Sequence, residues 1–190
     1  MQKYGLASLA MYFYDFRDDQ KKDLRGLLWS VLGQLCRQSD LYYEILSKLY
    51  PEHARDSYAS DEALVRCLKD MTVLPEQAPI FLIVDGLDEC PDTLALSSPR
   101  QQVLMLLKDL IDSQLPNLRI CITSRPEADI KTVLAPLSFL SVSLHDEPGQ
   151  IEDINNYIKS VVYTNPSMQR WKSEHKQLVI DVLTERADGM

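Results

Sequence analysis

The apolar run Phe81-Leu82-Ile83-Val84 is followed at once by Asp85-Gly86-Leu87-Asp88-Glu89. A buried strand holds its last residue rigidly, so an acid there is presented at one fixed point above a sheet. That placement suits Mg²⁺, which takes hard oxygen ligands, or waters held by them, in near-octahedral geometry. Asp85 is the candidate for the ion, acting through water. Gly86 lets the backbone turn tightly beside it. Asp88 and Glu89 lie a few residues on, where one of them could polarise an attacking water. The same string also reads as a strand ending in a solvated acidic turn, but this density of acids after the apolar run favours a nucleotide-type site.

A second segment, Leu118-Arg119-Ile120-Cys121-Ile122-Thr123-Ser124-Arg125-Pro126, ends a buried strand in hydroxyls and an arginine. Adjacent parallel strands end at the same edge, where ligands of open α/β sheets bind. Thr123, Ser124 and Arg125 are therefore candidates for nucleotide contacts, with Arg125 sensing a terminal phosphate through charge-assisted hydrogen bonds. The competing reading makes Arg125 a surface arginine or the partner of a nearby acid. His145-Asp146-Glu147 is a weaker cluster, better read as a solvated acidic helix start.

Several elements must position these groups. Leu9–Phe16 is aromatic-rich and strand-like, and Leu24, Leu27, Leu28, Val31, Leu32 and Leu35 recur at helical spacing. A short helix is predicted over Leu41–Leu49, and another after an N-cap at Ser60. Pro79–Val84, apolar on both faces, fits a central strand of a parallel sheet. Ser98-Pro99-Arg100-Gln101 combines an N-cap, a proline at the first helical position and a capping-box glutamine. The Leu118 strand, a helix over Glu127–Leu134 and a strand over Phe139–Leu144 follow, and then two helical patterns. Strands alternating with helices predict an α/β fold with a largely parallel sheet. The helical tail from about residue 150 predicts a second region, giving a core over 1–149 and the start of a helical lid over 150–190.

At 190 residues the chain can bury a sizeable core. A formal net charge of −8 argues against a general nucleic-acid or anionic-membrane surface but not against a single nucleotide. Cys36, Cys67, Cys90 and Cys121 form no C-x-x-C pair and have no histidine at ligand spacing, and two of them lie in or beside apolar strand-like runs, so buried free thiols in a reducing compartment are expected rather than structural zinc. No apolar run is long enough to span a bilayer, and no signal peptide is visible. A cytoplasmic protein is the expectation.

FLIVDGLDEC resembles the extended Walker B motif of NACHT domains, and RICITSRPE resembles the sensor segment of the same signal-transduction (STAND) P-loop NTPases. YFYDFRD, LLWSVLGQLCRQ, SPR and SLHDE extend the likeness to fungal NACHT and nephrocystin-like N-terminal domains. The resemblance implies a three-layer P-loop NTPase-like sheet using Mg²⁺ with ATP or GTP as a signalling switch. It makes Asp85 the magnesium aspartate, Asp88 and Glu89 the catalytic acids, and Arg125 the sensor arginine. One departure is decisive: no G-x-x-x-x-G-K-[ST] is present, and that pattern wraps the phosphates in backbone N–H groups. In the family this loop lies just upstream of the YFYDF strand.

The chain is thus expected to start after the loop and to bind and hydrolyse nucleotide poorly by itself. About four strands are expected, with the Phe81 strand between the Leu9 and Leu118 strands. The Phe139 strand should lie across a gap or pair with the Leu118 strand. Expected partners are proteins or further copies within a larger multidomain protein. The alternative is a degenerate, non-catalytic oligomerisation module on the same fold.

Overall fold

The computed structural model describes residues 6–15, 23–49, 59–75, 77–92, 98–143 and 149–186. In chain order the first elements are strand β1 (Ser8–Phe13) and helices α1 (Leu24–Cys36), α2 (Asp40–Ser47) and α3 (Asp61–Thr72). Strand β2 (Ile80–Asp85), helix α4 (Pro99–Asp112), strand β3 (Leu118–Ile122) and helix α5 (Ala128–Leu134) follow. Helices α6 (Gln150–Thr164) and α7 (Ser173–Arg186) complete the set. Three helix starts are capped by side chains: Asp23 accepts from the Gly26 N–H, Ser60 from Ala63 and Ser98 from Gln101. Each cap satisfies a backbone donor that the helix itself leaves unpaired.

The sheet has three strands in the order β1-β2-β3, all parallel, with β2 in the centre as its apolar sequence requires. Leu9 lies opposite Phe81, and Phe81 lies opposite Arg119. One face carries Ala10, Tyr12, Ile80, Leu82, Val84 and Leu118 and joins a single core with the buried sides of α1, α3, α4 and α5. The opposite face carries Met11, Phe13, Ile83 and Cys121 and stays half-exposed or exposed, with Phe13 at 49% and Phe81 at 38%. The α/β class with a parallel sheet and flanking helices is as expected.

The fourth strand is not. Residues 139–143 pair with no strand, and Leu144 lies outside the described residues. Phe139, Leu140 and Val142 are exposed. Alternating apolar residues make a strand only when a neighbour supplies hydrogen bonds and a surface to cover, and among the described residues this segment has no strand partner. The described residues form two compact units, divided between Ser138 and Phe139. In the second, Ile158, Val162 and Ile180 are the buried contacts between α6 and α7.

The outer edge of β1 is closed by two side chains of α1. Gln38 accepts from the Leu9 N–H at 2.9 Å and donates to the Leu9 carbonyl at 2.7 Å. Gln34 does the same for Met11, at 3.0 and 2.7 Å. Each amide stands in for one residue of a neighbouring strand, so this edge offers no template for another chain. Replacing both by alanine (Gln34→Ala with Gln38→Ala) should raise light scattering at equal protein concentration. It should also lower the unfolding free energy in urea by roughly 1–3 kcal/mol, the cost of orphaned backbone groups.

Candidate functional site

Asp85 ends β2 opposite Phe13, and its carbonyl accepts from the Tyr14 N–H at 3.0 Å. Strand alternation puts its side chain on the open face, in line with Phe81 and Ile83. The adjacent strand ends beside it. The Thr123 hydroxyl donates to Asp85 Oδ1 and accepts from the Gly86 N–H at 3.2 Å. The Thr123 carbonyl accepts from the Leu87 N–H at 3.1 Å. With the Thr123 N–H donating to the Val84 carbonyl at 2.9 Å, four contacts stitch the β2 and β3 ends together through one threonine.

Gly86 has φ 67° and ψ 39°, the left-handed region. A Cβ there would meet the Tyr14 carbonyl oxygen at 3.5 Å, an ordinary contact, so the backbone angle rather than space demands glycine. The chain then forms a 3₁₀ turn at Leu87–Glu89, closed by Glu89 N–H to the Gly86 carbonyl at 2.8 Å. Leu87 and Cys90 are buried and anchor this turn in the core.

Asp88 and Arg125 meet. Asp88 Oδ1 accepts from the Arg125 N–H at 2.9 Å, and Oδ2 lies 3.5 Å from Arg125 Nε. The Asp88 side chain is only 11% exposed, whereas that of Arg125 is 81% exposed. The guanidinium is thus loosely held at the surface while its backbone is fixed. Ser124 donates its hydroxyl to the Arg125 carbonyl at 2.9 Å and shapes the turn. Asp85, Thr123, Asp88 and Arg125 accordingly share one rim at the C-terminal ends of β2 and β3, with Glu89 on the same turn. Within this group Thr123 and Asp85 supply adjacent hard oxygens. No cluster of three or more histidine, cysteine or carboxylate side chains able to hold a metal ion occurs among the described residues. A cation here needs oxygens from water or a ligand.

One residue of the site was not singled out by the sequence pattern. Arg100, in the first turn of α4, donates from Nε to the Cys90 carbonyl at 2.9 Å and from Nη2 to the Asp88 carbonyl at 2.8 Å. Its Nη1 lies 3.3 Å from Asp129 Oδ2 at the start of α5. The Ser-Pro-Arg string marked only a helix start. Long-range carbonyl contacts leave no trace in local periodicity. The His145-Asp146-Glu147 cluster lies outside the described residues.

Of the four thiols, Cys67 and Cys90 are buried, Cys36 is intermediate and Cys121 is exposed. The expectation of a buried thiol on the β3 strand therefore fails, because alternation places Cys121 on the open face. Burial pushes Cys90 up to about 11, against a partial lowering by the Tyr14 hydroxyl and Arg100. Burial likewise raises the Tyr14 phenol above its usual value. No helix of the described residues is long and apolar enough to cross a membrane.

The family model described as nephrocystin 3, N-terminal, matches residues 1–125, a span that ends on Arg125. No curated protein sequence and no solved structure matches the chain.

Two stability effects follow from this geometry. Gly86→Ala should cost about 1–2 kcal/mol for forcing a Cβ into the left-handed region. Gly33→Ala, in α1 with nothing within 4 Å of the added Cβ, should instead stabilise; the gain is roughly 0.5–1 kcal/mol. Urea titrations of both variants read the difference. The Cys90 shift sets a pH window between the ordinary thiol value of 9.0 and about 11. Across it the unfolded chain loses the Cys90 proton while the folded chain keeps it. The native state then binds more protons, so stability must fall as pH rises through that window. Cys90→Ala should flatten that part of the stability–pH curve.

Proposed function

The chain belongs to the nephrocystin 3 N-terminal family, and on that premise we propose that its β2–β3 rim is the magnesium-side half of the nucleotide site of a NACHT-type signalling NTPase. The observation that carries this reading is the pairing of Asp85 and Thr123 at the ends of adjacent parallel strands, with Arg125 on the following turn. In α/β sheets that edge is where ligands bind. Asp85 and Thr123 offer the hard oxygens that suit Mg²⁺, and ATP or GTP phosphates would complete its shell. The bound ion would supply charge neutralisation to the phosphates. Asp85 would orient its waters, Asp88 or Glu89 would accept the proton of an attacking water, and Arg125 would approach the terminal phosphate.

Two further features fit the reading. The far edge of β3 has no strand partner among the described residues, and the face that bears Asp85 is open. A strand, phosphate loop and helix in a complete domain would occupy that edge and that face. No phosphate-wrapping glycine–lysine loop is present in these 190 residues. By themselves they should bind nucleotide weakly and hydrolyse none at a useful rate. The core would span 1–149 and a helical lid would begin at 150, in a cytoplasmic protein working with protein partners or further copies of itself. The exposed Phe13 and Phe81 favour a second reading, in which the same fold is a non-catalytic oligomerisation module.

The coding sequence upstream of Met1 is the first check. If a G-x-x-x-x-G-K-[ST] pattern is present and expressed in one chain with these residues, calorimetry should detect Mg²⁺-dependent ATP or GTP binding. Asp85→Asn should then weaken that binding about tenfold or more while leaving the thermal midpoint nearly unchanged. Equal loss of binding and of fold would mark Asp85 as structural and sink the reading. Tight Mg-ATP binding by the 190-residue chain itself would overturn the view that its own half-site is insufficient.

A further inference from the structure

We propose that Arg100 is the positioning residue of this rim: it locks the β2 acid turn to the turn after β3 and so sets where Arg125 sits. Its side chain is 12% exposed, and a guanidinium so far from water must be matched by acceptors. It finds them on two elements. The Asp88 and Cys90 carbonyls lie on the acid turn, at 2.8 and 2.9 Å, and Asp129 lies on α5. The flat five-donor fork of arginine meets both carbonyls and the carboxylate together in one fixed geometry, whereas lysine, with three donors on a single nitrogen, reaches only part of that set.

These contacts close a ring. Asp88 gives its carbonyl to Arg100 and its carboxylate to the Arg125 N–H. From Arg125 the chain runs to Asp129, with Glu127 N–H donating to the Arg125 carbonyl at 2.8 Å. Asp129 returns the ring to Arg100. Within the ring Asp88 is a junction, so its carboxylate orients the arginine turn.

The placement of Arg100 also runs against local preference. It sits at the positive end of its own helix, whose first turn contains no acid to offset it. Such a conflict is typical of positions retained for a site rather than for the helix.

The use of this clamp in catalysis rests on the nucleotide-site reading, whereas the clamp itself can be tested without nucleotide. Amide exchange and chemical shifts of the ¹⁵N-labelled 190-residue chain are the measurements. Arg100→Gln should raise exchange at Arg125 and Glu127 about tenfold or more, while Leu82 and Val84 stay within about twofold. Arg100→Lys keeps the charge and should return the Arg125 amide shift part of the way to wild type. Asp88→Ala should release the Arg125 amide and leave the α5 amides protected. An unchanged Arg125 in Arg100→Gln overturns the proposal. So does a rise spread equally over Leu82 and Val84, or no rescue at all by lysine. If these responses appear but a chain that carries the phosphate loop together with these residues shows no Mg²⁺-dependent nucleotide binding, the nucleotide reading fails and the clamp stands.

Discussion

The parallel pairing of β2 with a strand on each side governs the rest of this molecule. β2 is apolar on both faces and ends abruptly in a carboxylate, so it is useful only as a central strand. With β1 and β3 in register beside it, Phe13, Asp85 and Thr123 arrive at one edge together. Every contact in the rim depends on that alignment. A slip of one residue would turn Asp85 into the core face and Val84 outward. The buried Ile80, Leu82 and Val84 make that slip costly, so packing beneath the sheet protects the chemistry above it.

The elements whose partners are local were legible in the sequence. Caps at Ser60 and Ser98, the leucine stripe of α1 and the apolar β2 run are short-range signals, and each produced the element that it indicated. The gathering of Asp85, Thr123 and Arg125 at one rim was also legible, because parallel strands end together. Phe139–Ser143 misled for the opposite reason. Its apolar alternation is a local signal, but strand formation needs a distant neighbour that the described residues do not provide. Gln34 and Gln38 escaped notice because a glutamine four residues after another on a helix looks like a solvated pair. Only the three-dimensional position of α1 turns that pair into an edge seal.

The two sheet edges are treated differently, and the difference has a topological cause. Strands β1, β2 and β3 lie side by side in chain order, so both crossovers run in the same direction across the sheet. Parallel crossovers are right-handed in nearly all proteins, so successive crossovers in one direction put their helices on the same face. The structure follows that rule: α1, α3 and α4 share one core with Ala10, Leu82 and Leu118. The other face is left to Met11, Phe13, Phe81 and Ile83.

A crossover helix would cover that second face only by crossing the sheet in the opposite direction, which the connections between these three strands do not do. A crossover entering β1 from beyond β3 would meet the requirement. Its strand would take up the free edge of β3, and its helix would lie over the open face towards the Asp85 end. One reversal would therefore close the unpaired edge and the bare apolar surface together. The point where strand order reverses is also where open α/β sheets bind their ligands. Among the described residues, the bare face and the acids at its rim lie on the same side of the sheet, the side that two crossovers in one direction leave without helices.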